Sequence, residues 1–149
     1  MYGYNPQELS LTCLIQLMYA GKCYIIDVLI PEVWKEVTST LKSIMSDPNV
    51  IKIGHGISFD VRALSRDFNL HICNVFDTYE ASKVLGLEEK GLAKVCSYYG
   101  LEEGEEYKRL KGMWQTCDWK RRPMEEGQVR TVELGGDGGR CIAFLTFFF

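Results

Sequence analysis

Residues 51–64 read I-K-I-G-H-G-I-S-F-D-V-R-A-L, and the change of rhythm inside them decides the fold. Residues 50–54 (V-I-K-I-G) form a short β-prone run. After His55 and Gly56 the apolar residues recur as Ile57, Val61, Leu64 and Phe68, which is one face of a helix. A strand that turns through glycine into an amphipathic helix is a building unit of α/β folds. The same turn delivers Asp60 to the start of the helix, where a carboxylate complements the helix dipole.

Upstream, residues 11–19 (L-T-C-L-I-Q-L-M-Y) and 23–28 (C-Y-I-I-D-V) are both strand-like, and Ala20-Gly21-Lys22 between them reads as a hairpin turn. Pro31 suits a helix's first turn. Behind it Trp34, Val37, Leu41 and Ile44 keep helical spacing until Asp47-Pro48-Asn49 breaks the pattern. Downstream, residues 74–76 predict a further strand, with Asp77 as N-cap of the helix that follows and Glu80 in its first turn. Ala81, Val84 and Leu85 form its inner face, and Gly86 closes it. Leu92, Val95, Cys96 and Tyr99 make a further helical face that ends at Gly100. Residues 101–109 turn acidic and then basic, the pattern of a surface loop. The order β-β-α-β-α-β-α-α predicts an α/β sandwich with a mixed sheet.

The 149 residues suffice for one domain, and 46% hydrophobic with 25% charged residues is globular composition. A net charge of −3 gives no overall field toward nucleic acid, so such binding needs a local basic patch or metal ions. The six cysteines contain no C-x-x-C pair and read as thiols in a reducing compartment. No secretory signal opens the sequence, and its longest apolar run, residues 141–149, is too short to span a bilayer. A soluble intracellular protein with no membrane partner is expected.

Two basic clusters, Lys108, Arg109 and Lys111 and then Lys120, Arg121 and Arg122, bracket Trp114 and Trp119. Cations beside aromatic rings suit single-stranded nucleic acid through phosphate contacts and base stacking. They equally suit a solvated loop around a core tryptophan. His55 reads as a turn histidine that could touch substrate, and His71 as surface. Residues 135–139 (G-G-D-G-G) lack the K-[S/T] that a phosphate-binding loop requires.

Three blocks in order carry a resemblance: residues 51–64 above, residues 74–86 (N-V-F-D-T-Y-E-A-S-K-V-L-G), and residues 117–124 (C-D-W-K-R-R-P-M). Together they resemble the DEDD 3′→5′ exonuclease family, most closely its RNase D and nuclear exosome branch. The hairpin stretches S-L-T-C-L-I-Q-L and Y-I-I-D fit the same family. The resemblance divides the chain into a partial exonuclease domain, residues 9–130, and an atypical Gly/Phe-rich tail, residues 131–149.

The resemblance implies an RNase H-like α/β fold: a mixed sheet flanked by helices. It implies hydrolysis of RNA, or DNA, from a single-stranded 3′ end, in RNA processing or decay. Four carboxylates would hold two divalent ions, Mg2+ or Mn2+, at the terminal phosphodiester. RNA exosome subunits are the implied partners, and the nucleus or nucleolus the implied location.

Carried over residue by residue, Asp60 matches the second-motif aspartate, a metal ligand and catalytic residue. His55, Trp119, Lys120, Arg121 and Arg122 are the candidates for contact with nucleic acid. The family's D-x-E strand precedes the hairpin, yet residues 1–9 (M-Y-G-Y-N-P-Q-E-L) hold no D-x-E, only Glu8. The Y-x-x-x-D of the last motif would fall at Thr131 and Gly135, and Asp137 lies two positions beyond. The sheet is therefore expected to lack its first, central strand, as in a truncated or misassembled gene product. A non-catalytic module binding nucleic acid or protein on a degenerate exonuclease fold is the alternative.

Overall fold

The computed structural model describes residues 12–101, 103–114, 116–135 and 142–148. Its first elements are the hairpin strands β1 (Leu14–Tyr19) and β2 (Lys22–Asp27), joined through Ala20 and Gly21. Both turn residues have positive φ, 49° and 73°, the backbone that a two-residue hairpin of matching twist requires. Helix α1 (Pro31–Ser46) follows with Pro31 in its first turn and ends at Asp47. Next come β3 (Ile51–Gly54), α2 (Ser58–Phe68), β4 (Val75–Asp77), α3 (Thr78–Val84) and α4 (Leu92–Tyr98). Gly86 and Gly100 leave α3 and α4 at φ of 68° and 73°, conformations that glycine adopts without strain.

The chain then departs from the sequence reading. Residues 101–109, expected as a loop, run into helix α5 (Glu103–Trp114). Tyr107 and Leu110, three positions apart, are 2% and 6% exposed, so packing rather than charge pattern sets this segment. Helix α6 (Glu126–Gly135) continues through residues 130 and 131, and α5 lies against it. An added Cβ on Gly127 would meet the Trp114 ring at 2.5 Å, so the two helices approach as closely as glycine permits.

The sheet has five strands in the order β2-β1-β5-β3-β4, where β5 is Ile142–Phe148. The gap expected at its centre is therefore filled. β1 and β3 run in opposite directions, so a strand between them must be parallel to one and antiparallel to the other. β5 is parallel to β1, with Leu14 opposite Ile142 and Met18 opposite Thr146. It is antiparallel to β3, with Ile51 opposite Phe148 and Ile53 opposite Thr146. Unpaired N–H and C=O groups in the middle of a covered sheet are costly. A charge-free, β-prone segment such as I-A-F-L-T-F-F supplies their partners regardless of where in the sequence it comes from.

Both faces of the sheet are covered. Ile15 and Leu17 of β1 pack with Val37, Leu41 and Met45 of α1 and Leu64 and Phe68 of α2. Trp34 and Phe68 fasten α1 to α2, their ring centroids 4.3 Å apart. On the other face Leu14 meets Trp119 and Val132. Lys52 of β3 is fully buried, its ammonium donating to the carbonyls of Asp47 at 2.6 Å and Val50 at 2.9 Å. A cation there neutralises carbonyls at the end of α1. No disulfide joins the described cysteines, and no helix among the described residues is long and apolar enough to cross a membrane.

Candidate functional site

The parallel pairing of β3 with β4 places Gly54 opposite Asp77, so the two strand ends and the helices they feed share one corner of the sheet. Gly56, at φ +66°, reverses the chain into α2, whose N-cap is the buried Ile57. That helix has no side-chain cap of its own. Asp77 acts instead from the neighbouring strand. One carboxylate oxygen accepts from Gly56 N at 2.7 Å and from Tyr79 N at 2.9 Å, and the other accepts from Ile57 N at 3.1 Å.

Thr78 completes the clasp. Its hydroxyl donates to the Gly54 carbonyl at 3.0 Å, which leaves the same oxygen to accept from His55 Nδ1, also at 3.0 Å. This geometry puts a proton on His55 Nδ1, and the ring stands edge-on to Tyr79 at 5.7 Å. Asp60 stands half-buried in the first turn of α2, three residues beyond the clasp.

Around this corner aromatic rings carry cations. Arg62 lies over Phe59 at 4.6 Å, and Phe59 is 72% exposed. Lys83 lies over Tyr79 at 4.7 Å. These pairs sit three and four positions apart along helices, a spacing at which neighbouring side chains meet. The sequence carries that signal in the spacing of Phe59 to Arg62 and of Tyr79 to Lys83.

The second group of candidates behaves differently. Trp119 is 4% exposed and packs on Cys13, Leu14 and Val132, so its ring is core and not open to a base. The guanidinium of Arg122 is engaged by Asp27 and by the carbonyls of Trp119 and Arg121. That engagement holds the Asp27 carboxyl below its ordinary range. Lys120 and Arg121 remain exposed. Because β2 and β3 both run opposite to β1, Asp27 and Gly54 end their strands at the same end of the sheet. Three interstrand steps of about 4.8 Å separate β2 from β3, roughly 14 Å. The structure thus brings His55 and Asp60 together at one corner. It sets Lys120 and Arg121 along the same end and assigns Trp119 and Arg122 to the framework.

Glu8 and Asp137 lie outside the described residues. Among the described residues no three His, Cys, Asp or Glu side chains gather as a metal site, and both oxygens of Asp77 are taken by amides. Divalent ions are the general currency of 3′-5′ exonucleases. Asp60 has the oxygen donor chemistry such ions prefer. By itself it does not fit a two-ion centre.

Residues 2–130 match the model of a 3′-5′ exonuclease family. Over 122 residues the chain is 35% identical to the Arabidopsis thaliana protein RRP6-like 1, covering 81% of this chain and 18% of that protein. It is 33% identical over 117 residues to the exosome complex exonuclease RRP6 of Saccharomyces cerevisiae, covering 78% of this chain and 15% of the relative. It is 32% identical over 122 residues to human exosome complex component 10, covering 79% and 12%. The chain therefore spans less than a fifth of the length of these relatives. With the match running from before the hairpin through the 117–124 block, the chain belongs to the 3′-5′ exonuclease family, in its RNase D and exosome-exonuclease branch.

Proposed function

We propose that this domain serves a 3′→5′ exoribonuclease that trims RNA in processing or decay. The observation that carries the reading is the β3–α2 corner, where a clasped turn presents Asp60 at a helix start beside His55, inside a chain of this family. In this reading Asp60 would hold a divalent ion, Mg2+ or Mn2+, through a carboxylate oxygen, and a two-ion centre would need further carboxylates beside it. Asp60 is then both metal ligand and catalytic residue. The 3′ end of a single strand enters at this corner, and the strand runs along the end of the sheet past Lys120 and Arg121. These two supply phosphate contacts, while Trp119 and Arg122 keep their loop in shape. RNA is favoured over DNA because the relatives are named as exosome proteins. The same names support exosome subunits as partners, and the resemblance to the nuclear exosome branch supports a nuclear or nucleolar location.

One observation favours a second reading, a non-catalytic module that binds nucleic acid or protein. The strand at the centre of the sheet, I-A-F-L-T-F-F, bears no acidic residue. A 3′-tailed single-stranded RNA incubated with the 149-residue chain and Mg2+ or Mn2+ separates the two. Stepwise shortening that Asp60→Asn abolishes supports the exonuclease. Retention of the intact RNA on the protein, without shortening, supports the module.

A further inference from the structure

We infer that Asp77 is the positioning residue for Asp60: it sets where the functional carboxylate stands by acting on the backbone that leads to it. The inference rests on the reading of Asp60 given above. As an N-cap of α3, Asp77 needs only its bond to Tyr79 N, at 2.9 Å. It makes two more, to Gly56 N at 2.7 Å and Ile57 N at 3.1 Å, twenty-one and twenty positions back. A capping carboxylate with no further role has no need to be shared between two helices.

What it fixes is the azimuth of α2. Ile57 is that helix's N-cap, and Val61 N already bonds to its carbonyl at 2.9 Å. Each residue step turns a helix by about 100° and raises it about 1.5 Å. A slip of one residue at Ile57 would therefore swing Asp60 to another face. With no side-chain cap of its own and a flexible glycine at its entrance, α2 takes its starting register from Asp77. Thr78 reinforces the hold one residue earlier, at Gly54 and His55. The competing account is that core packing of Ile57, Leu64 and Phe68 alone orients the helix.

The 149-residue chain, isotopically labelled, decides between them through amide hydrogen exchange at Gly56 and Ile57 and the carboxyl carbon resonance of Asp60. Asp77→Ala should speed exchange at both amides at least about tenfold, since losing a hydrogen bond to a charged carboxylate corresponds to that factor or more. Asp77→Asn should keep Gly56 protected and release Ile57, because one oxygen remains an acceptor. Asp77→Glu keeps the charge but not the geometry. It should move the Asp60 resonance as well, while Asp67 at the far end of α2 stays in place. Unchanged exchange in Asp77→Ala overturns the clasp. Faster exchange with an unmoved Asp60 resonance overturns the positioning and leaves core packing as the cause. If Asp60 moves but the wild-type chain does not shorten RNA, the exonuclease reading fails and the positioning stands.

Discussion

The guanidinium of Arg122 holds both carboxylate oxygens of Asp27 across 95 positions of sequence, with Nη2 2.7 Å from Oδ1 and Nε on Oδ2. Two parallel charge-assisted bonds fix both distance and plane, and two backbone carbonyls accept from the remaining amino group. This contact pins the 117–124 block to the end of β2 and seats Trp119 in the core.

Arg122→Ala should lower stability by about 1–2 kcal/mol, and a double-mutant cycle with Asp27→Asn should assign about 1 kcal/mol to the pair. The Asp27 carboxyl is depressed chiefly by its hydrogen bond from Arg122. Its contribution is therefore complete above the unfolded carboxylate value of about 3.9 and lost as pH falls through the lower folded value. Urea melts of wild type and Arg122→Ala should accordingly converge as pH drops below about 4.

Thr146 of β5 stands opposite Met18 on one side and Ile53 on the other. Proline there removes a ladder donor in a strand bonded on both edges and should cost at least about 3 kcal/mol. Thermal unfolding of Thr146→Pro should lose its cooperative transition. A sharp, unshifted melt would show that β5 is not integral to the sheet.

Lys52 is buried to the nitrogen, and its ammonium serves two carbonyls. Lys52→Ala leaves a cavity and takes the charged donor from two carbonyls, of which Asp47 O keeps its bond from Val50 N at 3.3 Å, and should cost about 2–4 kcal/mol. Lys52→Met refills most of the volume and should recover part of that loss. Chemical denaturation of the two variants side by side measures the share owed to the charge-assisted bonds.

Gly127 faces the Trp114 ring with no room for a methyl group, the nearest ring atoms lying 2.5 Å from an added Cβ. Gly127→Ala should push α5 and α6 apart and destabilise by about 1–3 kcal/mol, even though alanine is the better helix former. Adding Trp114→Leu to the same chain should relieve most of the penalty. A stabilised Gly127→Ala single variant would contradict the close packing.

Local chemistry made the element boundaries of residues 12–100 legible, but not every inner face. Val84 and Leu85, expected to face inward from α3, are 88% and 64% exposed, and Ser82 is the residue that helix buries. Gly21, Pro31, Asp47, Asp77, Gly86 and Gly100 each mark a boundary through backbone preference, and the structure puts boundaries at all six. Periodicity likewise exposed the inner faces of α1 and α2. Helices α5 and α6 and strand β5 were hidden, and for different reasons. Helix α5 looked like a loop because its charges dominate, while its few anchors, such as Tyr107, take their burial from tertiary neighbours. The place of β5 could not be read because strand order is a long-range property. The same seven uncharged residues, seen alone, look like a tail. At the corner, Asp60 and the N-cap role of Asp77 were readable. The two bonds from Asp77 to Gly56 and Ile57 follow only from the β3–β4 register.

The position of β5 also sets a timetable. The β1–β2 hairpin can close as soon as residue 27 is made, since its partners are adjacent in sequence. The other edge of β1 has to wait for Ile142 and its neighbours, and β3 has to wait for the same segment. Contacts of such long sequence separation form slowly. During synthesis two apolar strand edges therefore stay open until nearly the whole described chain has emerged, which is when strand edges recruit the wrong partners. The yield of folded protein should depend on how fast β5 arrives, and a chaperone that shields β1 and β3 in the interval should raise it.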